Sequence, residues 1–279
     1  MQLTPAIMAT TIFLLAYLLL IMKVTRPMYI TSAAAALLLC SGALSRQQAL
    51  AAINLNVLGI VGGMMILAEL FVASRAPSFF AAKLVARVHT AGLALVVISV
   101  FSGVISAFVD NVATVLIVAP VAFDIAKRLN TSPMPFIVGV AISSNLQGMA
   151  TLIGDATSVI LATAADLNFL EFFWLKGRPG IFFAVELGAI AATIVLWLMF
   201  RHLKQPLSMQ QTTPVITWVP TLLLIAVILT LALSSLIPNR PPNLIGVITI
   251  TFGLLGIVWN AVWGHLRVRW HNLDWETLV

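Results

Sequence analysis

The chain cannot run straight from Ala91 to Phe123. That stretch (AGLALVVISVFSGVISAFVDNVATVLIVAPVAF) is apolar apart from small polar residues and the pair Asp110-Asn111. As one helix it would extend about 50 Å at ~1.5 Å per residue, well past a hydrocarbon core of roughly 30 Å. It must therefore fold back or break, and the polar pair is where the break falls. A second stretch, Ile142 to Ala165 (ISSNLQGMATLIGDATSVILATAA), again sets Asn, Gln, Gly, Thr and Asp inside what reads as a membrane span. Two interrupted apolar segments in succession point to a binding site at membrane depth.

Composition agrees with a membrane setting. Of 279 residues 61% are hydrophobic and 9% charged, with a mean hydropathy of +1.08, whereas a soluble domain carries about 25% charged residues. Further apolar runs that could cross are Pro5–Met22, Met28–Gly42, Val57–Val72, Gly180–Phe200, Ile216–Ile237 and Leu244–Trp263, with Pro135–Ala165 as the interrupted one. Backbone groups in lipid must be satisfied within their own segment, and nothing alternates like a barrel strand, so the predicted fold class is an all-α polytopic membrane protein. Met1–Met22 has no basic residue before its apolar run and reads as a retained first span.

If 91–126 enters and leaves on one side, the loops divide 11 Lys and Arg against 4. The richer side then faces the cytoplasm and the N-terminus lies outside. The same parity holds whether 91–126 is a re-entrant hairpin or two short full spans. The net charge of +6 is scattered singly in short loops, as orientation signals are, and implies no nucleic-acid partner. Arg75–His89 is weakly amphipathic through Phe80, Leu84 and Val88 and reads as an interfacial connector. Residues 206–213 read as a linker between two parts of the chain.

Asp110 and Asp155 stand out among the nine carboxylates, because both sit in apolar surroundings beside helix-breaking neighbours. An acid at the bilayer centre costs about 2.5–3.5 kcal/mol on insertion scales, so it faces a polar cavity or a partner. Asp110 and Asn111 are placed to cap a helix beginning near Val112, whose free N–H groups and positive dipole end would point into the site. The plainer alternative is a simple cap in a loop outside the membrane. In the second segment, Gly148, Ala150, Thr151 and Gly154 allow close backbone approach, while Asn145, Gln147, Asp155, Thr157 and Ser158 supply oxygens and amides. Unwound carbonyls beside them would suit Na+ or a proton-coupled site; packing of small residues between helices is the alternative. Glu69 and Glu186 are secondary candidates for coupling, each close enough to a span end to reach the headgroups instead. The four histidines flank span ends, so no metal site is expected, and no phosphate loop or nucleophile elbow appears.

At these residues the sequence resembles the ion transporter superfamily that includes arsenite permeases, bacterial sodium/proton antiporters, citrate and dicarboxylate carriers, and the melanosomal P protein. Ser106–Val121 (SAFVDNVATVLIVAPV) is similar to that family's S-x-F-L-(D/S)-N-x-x-T hairpin, which adds Thr114 to the site. Ser144–Ser158 (SNLQGMATLIGDATS) is similar to its S-N-I-G-G-T-A-T-L-I-G-D-P-P-N signature, agreeing at Ser144, Asn145, Gly148, Ala150, Thr151, Leu152, Ile153, Gly154 and Asp155. Gln147 and Met149 replace Gly and Thr, and Ala156-Thr157-Ser158 replaces Pro-Pro-Asn. The resemblance implies two inverted repeats, each with a re-entrant hairpin and a broken helix, sharing one site. It places the first repeat at residues 1–205, with hairpin 91–126 and broken helix 135–165, and the start of an incomplete second repeat at 214–279. The ending Asn272–Val279, which echoes Ile53–Gly59, then marks a fragment, a split gene product, or a half that pairs with another chain or a second copy, and the alternative to a transporter is a non-transporting or partner-requiring half.

The function expected is secondary transport of a small ion or anion, driven by a Na+ or H+ gradient, in a bacterial inner membrane, without a bound cofactor. Asp110, where organic-anion carriers of the family tend to have Ser, favours a coupling cation, sodium/proton exchange or an inorganic substrate. Helix N-termini favour an anion. An intramembrane aspartyl protease also pairs two aspartates, but Leu152 stands at the first Gly of its Gly-x-Gly-Asp motif and Val109 where Tyr would precede the other Asp.

Overall fold

The computed structural model describes residues 5–206, 214–241, 243–264, 266 and 268. These form two compact units, one over residues 5–55 and one over the described residues from 56 onward. The echo at 272–279, the larger part of the linker at 206–213, and two of the four histidines lie outside the described residues.

The first unit holds α1 (Pro5–Ile21), α2 (Pro27–Cys40) and α3 (Arg46–Ala52). α1 packs on α2, and α2 starts where Pro27 supplies a pre-set φ at a position that needs no N–H donor. Ser45 and Gln48 form a reciprocal capping box that starts α3.

The second unit opens with α4 (Leu55–Ala73) and continues through α5 (Ala76–Val85), α6 (Ala91–Ser106), α7 (Asn111–Arg128), α8 (Met134–Gly148) and α9 (Ala156–Ala164). A 3-10 turn at Leu170–Phe172 and a two-residue antiparallel ladder, Trp174–Leu175 with Arg178–Pro179, precede α10 (Ile181–Phe200). α11 (Val219–Ser234) and α12 (Leu244–Val262) complete it. Among the described residues α4, α10 and α12 are long and apolar enough to cross a membrane by themselves. The molecule is a helical membrane protein, as the sequence predicts.

Both apolar stretches are interrupted. Residues 107–110 separate α6 from α7, and residues 149–155 separate α8 from α9. The polar backbone of these breaks is held in place by apolar side chains beneath them. Val109, Leu152 and Ile153 are buried in a cluster with Ile60, Met64 and Leu67 of α4 and Leu224 and Val227 of α11. A second cluster joins Leu95 and Ile98 of α6, Val118 and Ile125 of α7, and Phe136 and Val140 of α8.

α5 packs on α6 and α7 through Ala81, Ala82 and Val85, whereas Phe80 is exposed and Leu84 half-buried. The start of α6 is tied to the chain beyond α10: Ala91 N–H donates to Gln205 O at 3.1 Å and Gly92 N–H to Leu203 O at 3.0 Å.

α4 and α12 cross backbone to backbone. Thr249 Oγ1 donates to Gly59 O at 3.0 Å and Gly246 N–H to Asn56 Oδ1 at 2.7 Å. A Cβ added at Gly63 would stand 2.3 Å from the Thr249 carbonyl carbon, while one at neighbouring Gly62 would meet nothing within 4 Å. Close approach through small residues is the usual basis of helix association in lipid. Gly63→Ala is therefore expected to cost about 1–3 kcal/mol through overpacking. Gly62→Ala is expected to be neutral or to gain up to about 1 kcal/mol of helix propensity. Thermal unfolding followed by size-exclusion chromatography in detergent checks the contrast, and equal behaviour of the two variants would contradict the crossing.

Candidate functional site

Each break ends in an aspartate that starts the next helix. Asp110 accepts the Val112 and Ala113 N–H groups at 2.9 and 3.0 Å, and Asp155 accepts the Ala156 N–H at 2.9 Å. The amides expected to be free at the start of α7 are thus taken by Asp110 itself, because a short acidic side chain at the cap reaches them directly. Thr157 Oγ1 donates to Asp155 Oδ2 at 2.6 Å and is exposed, whereas Ser158 is buried.

The two breaks touch. Thr151, fully buried, donates its hydroxyl to Ala107 O. A Cβ at Gly154 would lie 2.5 Å from Gly148 O and 2.8 Å from both Ser106 O and Ala107 O, so three main-chain carbonyls converge on this residue. Only a residue without a side chain fits there. Gly148 plays the same part for Asn111, whose Oδ1 would be 2.3 Å from a Cβ at position 148.

Around Asn111 a polar network joins three helices. Ser106 donates to Asn111 Oδ1, and Asn111 Nδ2 donates to Asn145 Oδ1 at 3.3 Å. Ser144 Oγ lies 3.0 Å from Ser106 Oγ and 3.3 Å from Asn111 O. Thr114 is fully buried and donates to Val109 O at 3.4 Å, inside the wall of α7. The structure therefore brings Asn111, Asn145, Gly148, Thr151 and Gly154 into one contact region, with Asp110 and Asp155 at its helix starts and Thr114 and Ser158 in the adjoining walls.

Glu186 joins through Gln147, whose Nε2 donates to Glu186 Oε2 at 3.2 Å. Glu69 is half-buried within α4, four residues before its Ala73 end. Ser106 and Ser144 belong to the two motifs without standing among the candidate side chains of the sequence; the signal that marks them is the recurrence of Ser99, Ser102 and Ser106 at helical spacing along the face of α6 that packs on α8. The Ala107 carbonyl carries no sequence signal at all.

Buried serines, convergent carbonyls and paired helix breaks inside an apolar bundle characterise this helical membrane protein. The chain belongs to the citrate transporter family, whose model matches residues 17–279. It is 30% identical to an uncharacterized transporter of Mycobacterium tuberculosis over 172 residues, which cover 60% of this chain and 40% of that protein. It is also 28% identical to the P protein of Homo sapiens over 153 residues, covering 54% of this chain and 18% of that protein. The magnetosome protein MamN of Paramagnetospirillum magneticum matches at 30% over 133 residues, 47% of this chain and 30% of that one. The chain thus spans at most about 40% of these curated relatives.

Thr151→Val keeps the shape of the buried side chain but leaves the Ala107 carbonyl without its donor. A loss of about 1–3 kcal/mol is expected, read as a lowered midpoint of thermal unfolding in detergent. Thr157→Val, at an exposed position, is expected to change the same midpoint little.

Proposed function

We propose that the chain is the first half of a secondary transporter whose site lies between the two breaks, holding a coupling cation, Na+ or H+, and a small anion as substrate. The observation that carries the reading is the hydrogen-bonded contact between two helix breaks, each closed by an aspartate. Hydroxyl and amide oxygens at Ser106, Asn111 and Asn145 and the carbonyls at Gly154 are hard donors of the kind Na+ accepts. The lengths of α6, about 24 Å, and of the apolar part of α7, about 20 Å, each fall short of a ~30 Å core. That favours a re-entrant hairpin over two full spans. In this reading α11 and α12 open a second, inverted repeat, and the remaining half of the site comes from a longer chain, a separate partner or a second copy. The membrane is a bacterial inner membrane with the N-terminus outside, which the excess of Lys and Arg on one set of loops supports.

The family's description as citrate transporters supports a small carboxylate as substrate. Sodium/proton exchange is the second reading. It is favoured by the two aspartates, which already occupy the amides at the starts of α7 and α9 and so leave less for an anion to bind. Uptake of labelled citrate and arsenite, with dissipation of imposed Na+ and pH gradients, is to be measured in proteoliposomes with this chain alone and in its full-length gene context. Asp110→Ala and Asp155→Ala are expected to insert normally and to lose transport to background. Full activity in both would remove the site from this place.

A further inference from the structure

Helices α6, α8 and α10 pack on one another. Across all three, one side chain can ionise: Glu186, on α10. It lies about 21 Å along the helix from the Phe200 end, and Gln147 lies about 20 Å into α8. An acid placed among apolar helices turns toward a polar partner, and Glu186 meets the Gln147 amide at 3.2 Å.

The surroundings hold that amide in position. A Cβ at Gly103 of α6 would come 2.9 Å from Gln147 Cγ, so the absence of a side chain there makes room for the Gln147 stem. Gln147 directly precedes Gly148, against which the Asn111 amide rests. Charged groups on neighbouring elements are engaged or turned outward. Glu171, in the turn beside the start of α10, accepts the Asn168 N–H at 2.7 Å; Lys176 and Arg178 are exposed; Arg201 lies over the Trp197 ring; and Asp124 pairs with Arg128 at the far end of α7.

We propose that Glu186 is a proton-binding positioning residue that acts on the transport site through Gln147. Ionised, it holds the amide by a charge-assisted hydrogen bond, the stronger kind. On taking up one proton from solvent it becomes a neutral acid, a weaker acceptor that now carries an O–H donor, so its bond to the Gln147 amide changes from charge-assisted to neutral and the hold on the end of α8 loosens. Loss of that proton restores the charge-assisted bond. The inference rests on the transporter reading and names H+ as the ion sensed beside the site.

The test uses the protein in its full-length gene context, reconstituted in lipid. Infrared difference spectra between acid and alkaline pH read carboxyl protonation without any substrate. A carboxylic acid band present in the wild type is expected to vanish in Glu186→Gln, to persist in Glu186→Asp and to be displaced in Gln147→Ala. Citrate uptake is expected to change by up to about tenfold per pH unit on the limb this group governs. Glu186→Gln flattens that limb and Glu186→Asp restores it. If Glu186→Gln keeps the band, or keeps the wild-type pH slope of uptake, the proposal is overturned. If the wild type takes up none of the probes, the transporter reading fails, while the infrared band still decides whether Glu186 binds a proton.

Discussion

Backbone that leaves its helix inside a packed apolar bundle must find its partners within the protein, and the contact between the two breaks follows from how this chain satisfies such backbone. The break between α6 and α7 and the break between α8 and α9 each expose carbonyls, and they face one another. Thr151 supplies the hydroxyl that Ala107 O requires, and Gly154 lets the Ser106, Ala107 and Gly148 carbonyls approach its backbone. Each interruption is thus tolerable because the other is beside it. The serines and asparagines extend the same arrangement, passing from Ser144 through Ser106 and Asn111 to Asn145.

Apolar packing sets the height of that contact. Val109, Leu152 and Ile153 are buried in the cluster formed with α4 and α11, so apolar packing holds the same two segments whose polar groups meet. α4 is in turn fixed to α12 by hydrogen bonds between Asn56 and Gly246 and between Gly59 and Thr249. A crossing that close leaves little freedom for sliding, because any rotation brings side chains where only glycine fits. The second unit therefore combines a rigid crossing with a polar contact built from short unwound segments.

The element boundaries were largely legible because the apolar runs end at residues with local roles. Asp110 and Asp155 cap, and Pro27 and Pro135 start helices. The breaks were legible for the same reason: length forbade a straight helix, and only Asp110-Asn111 and the stretch around Gly154-Asp155 offered a place to stop. What was not legible is tertiary. Glu186 reads from hydropathy as an acid near a span end, and its pairing with Gln147 depends on α8 and α10 meeting at one depth. The packed face of α5, Ala81, Ala82 and Val85, was not legible either, since alanines carry little hydropathy contrast. The hydrogen bonds between α4 and α12 join residues 190 apart, a separation over which no spacing rule operates.

The seam between the start of α6 and the chain beyond α10 has a mechanical consequence. With Ala91 and Gly92 bonded to Gln205 and Leu203, residues 91–206 leave and return at one point, like a loop of cord tied at its base. Both breaks, the serine network and the Gln147–Glu186 pair lie inside that loop. Displacing the loop as a whole would therefore load two places, the knot itself and the packing of Val109, Leu152 and Ile153 on α4 and α11, which lie outside the loop.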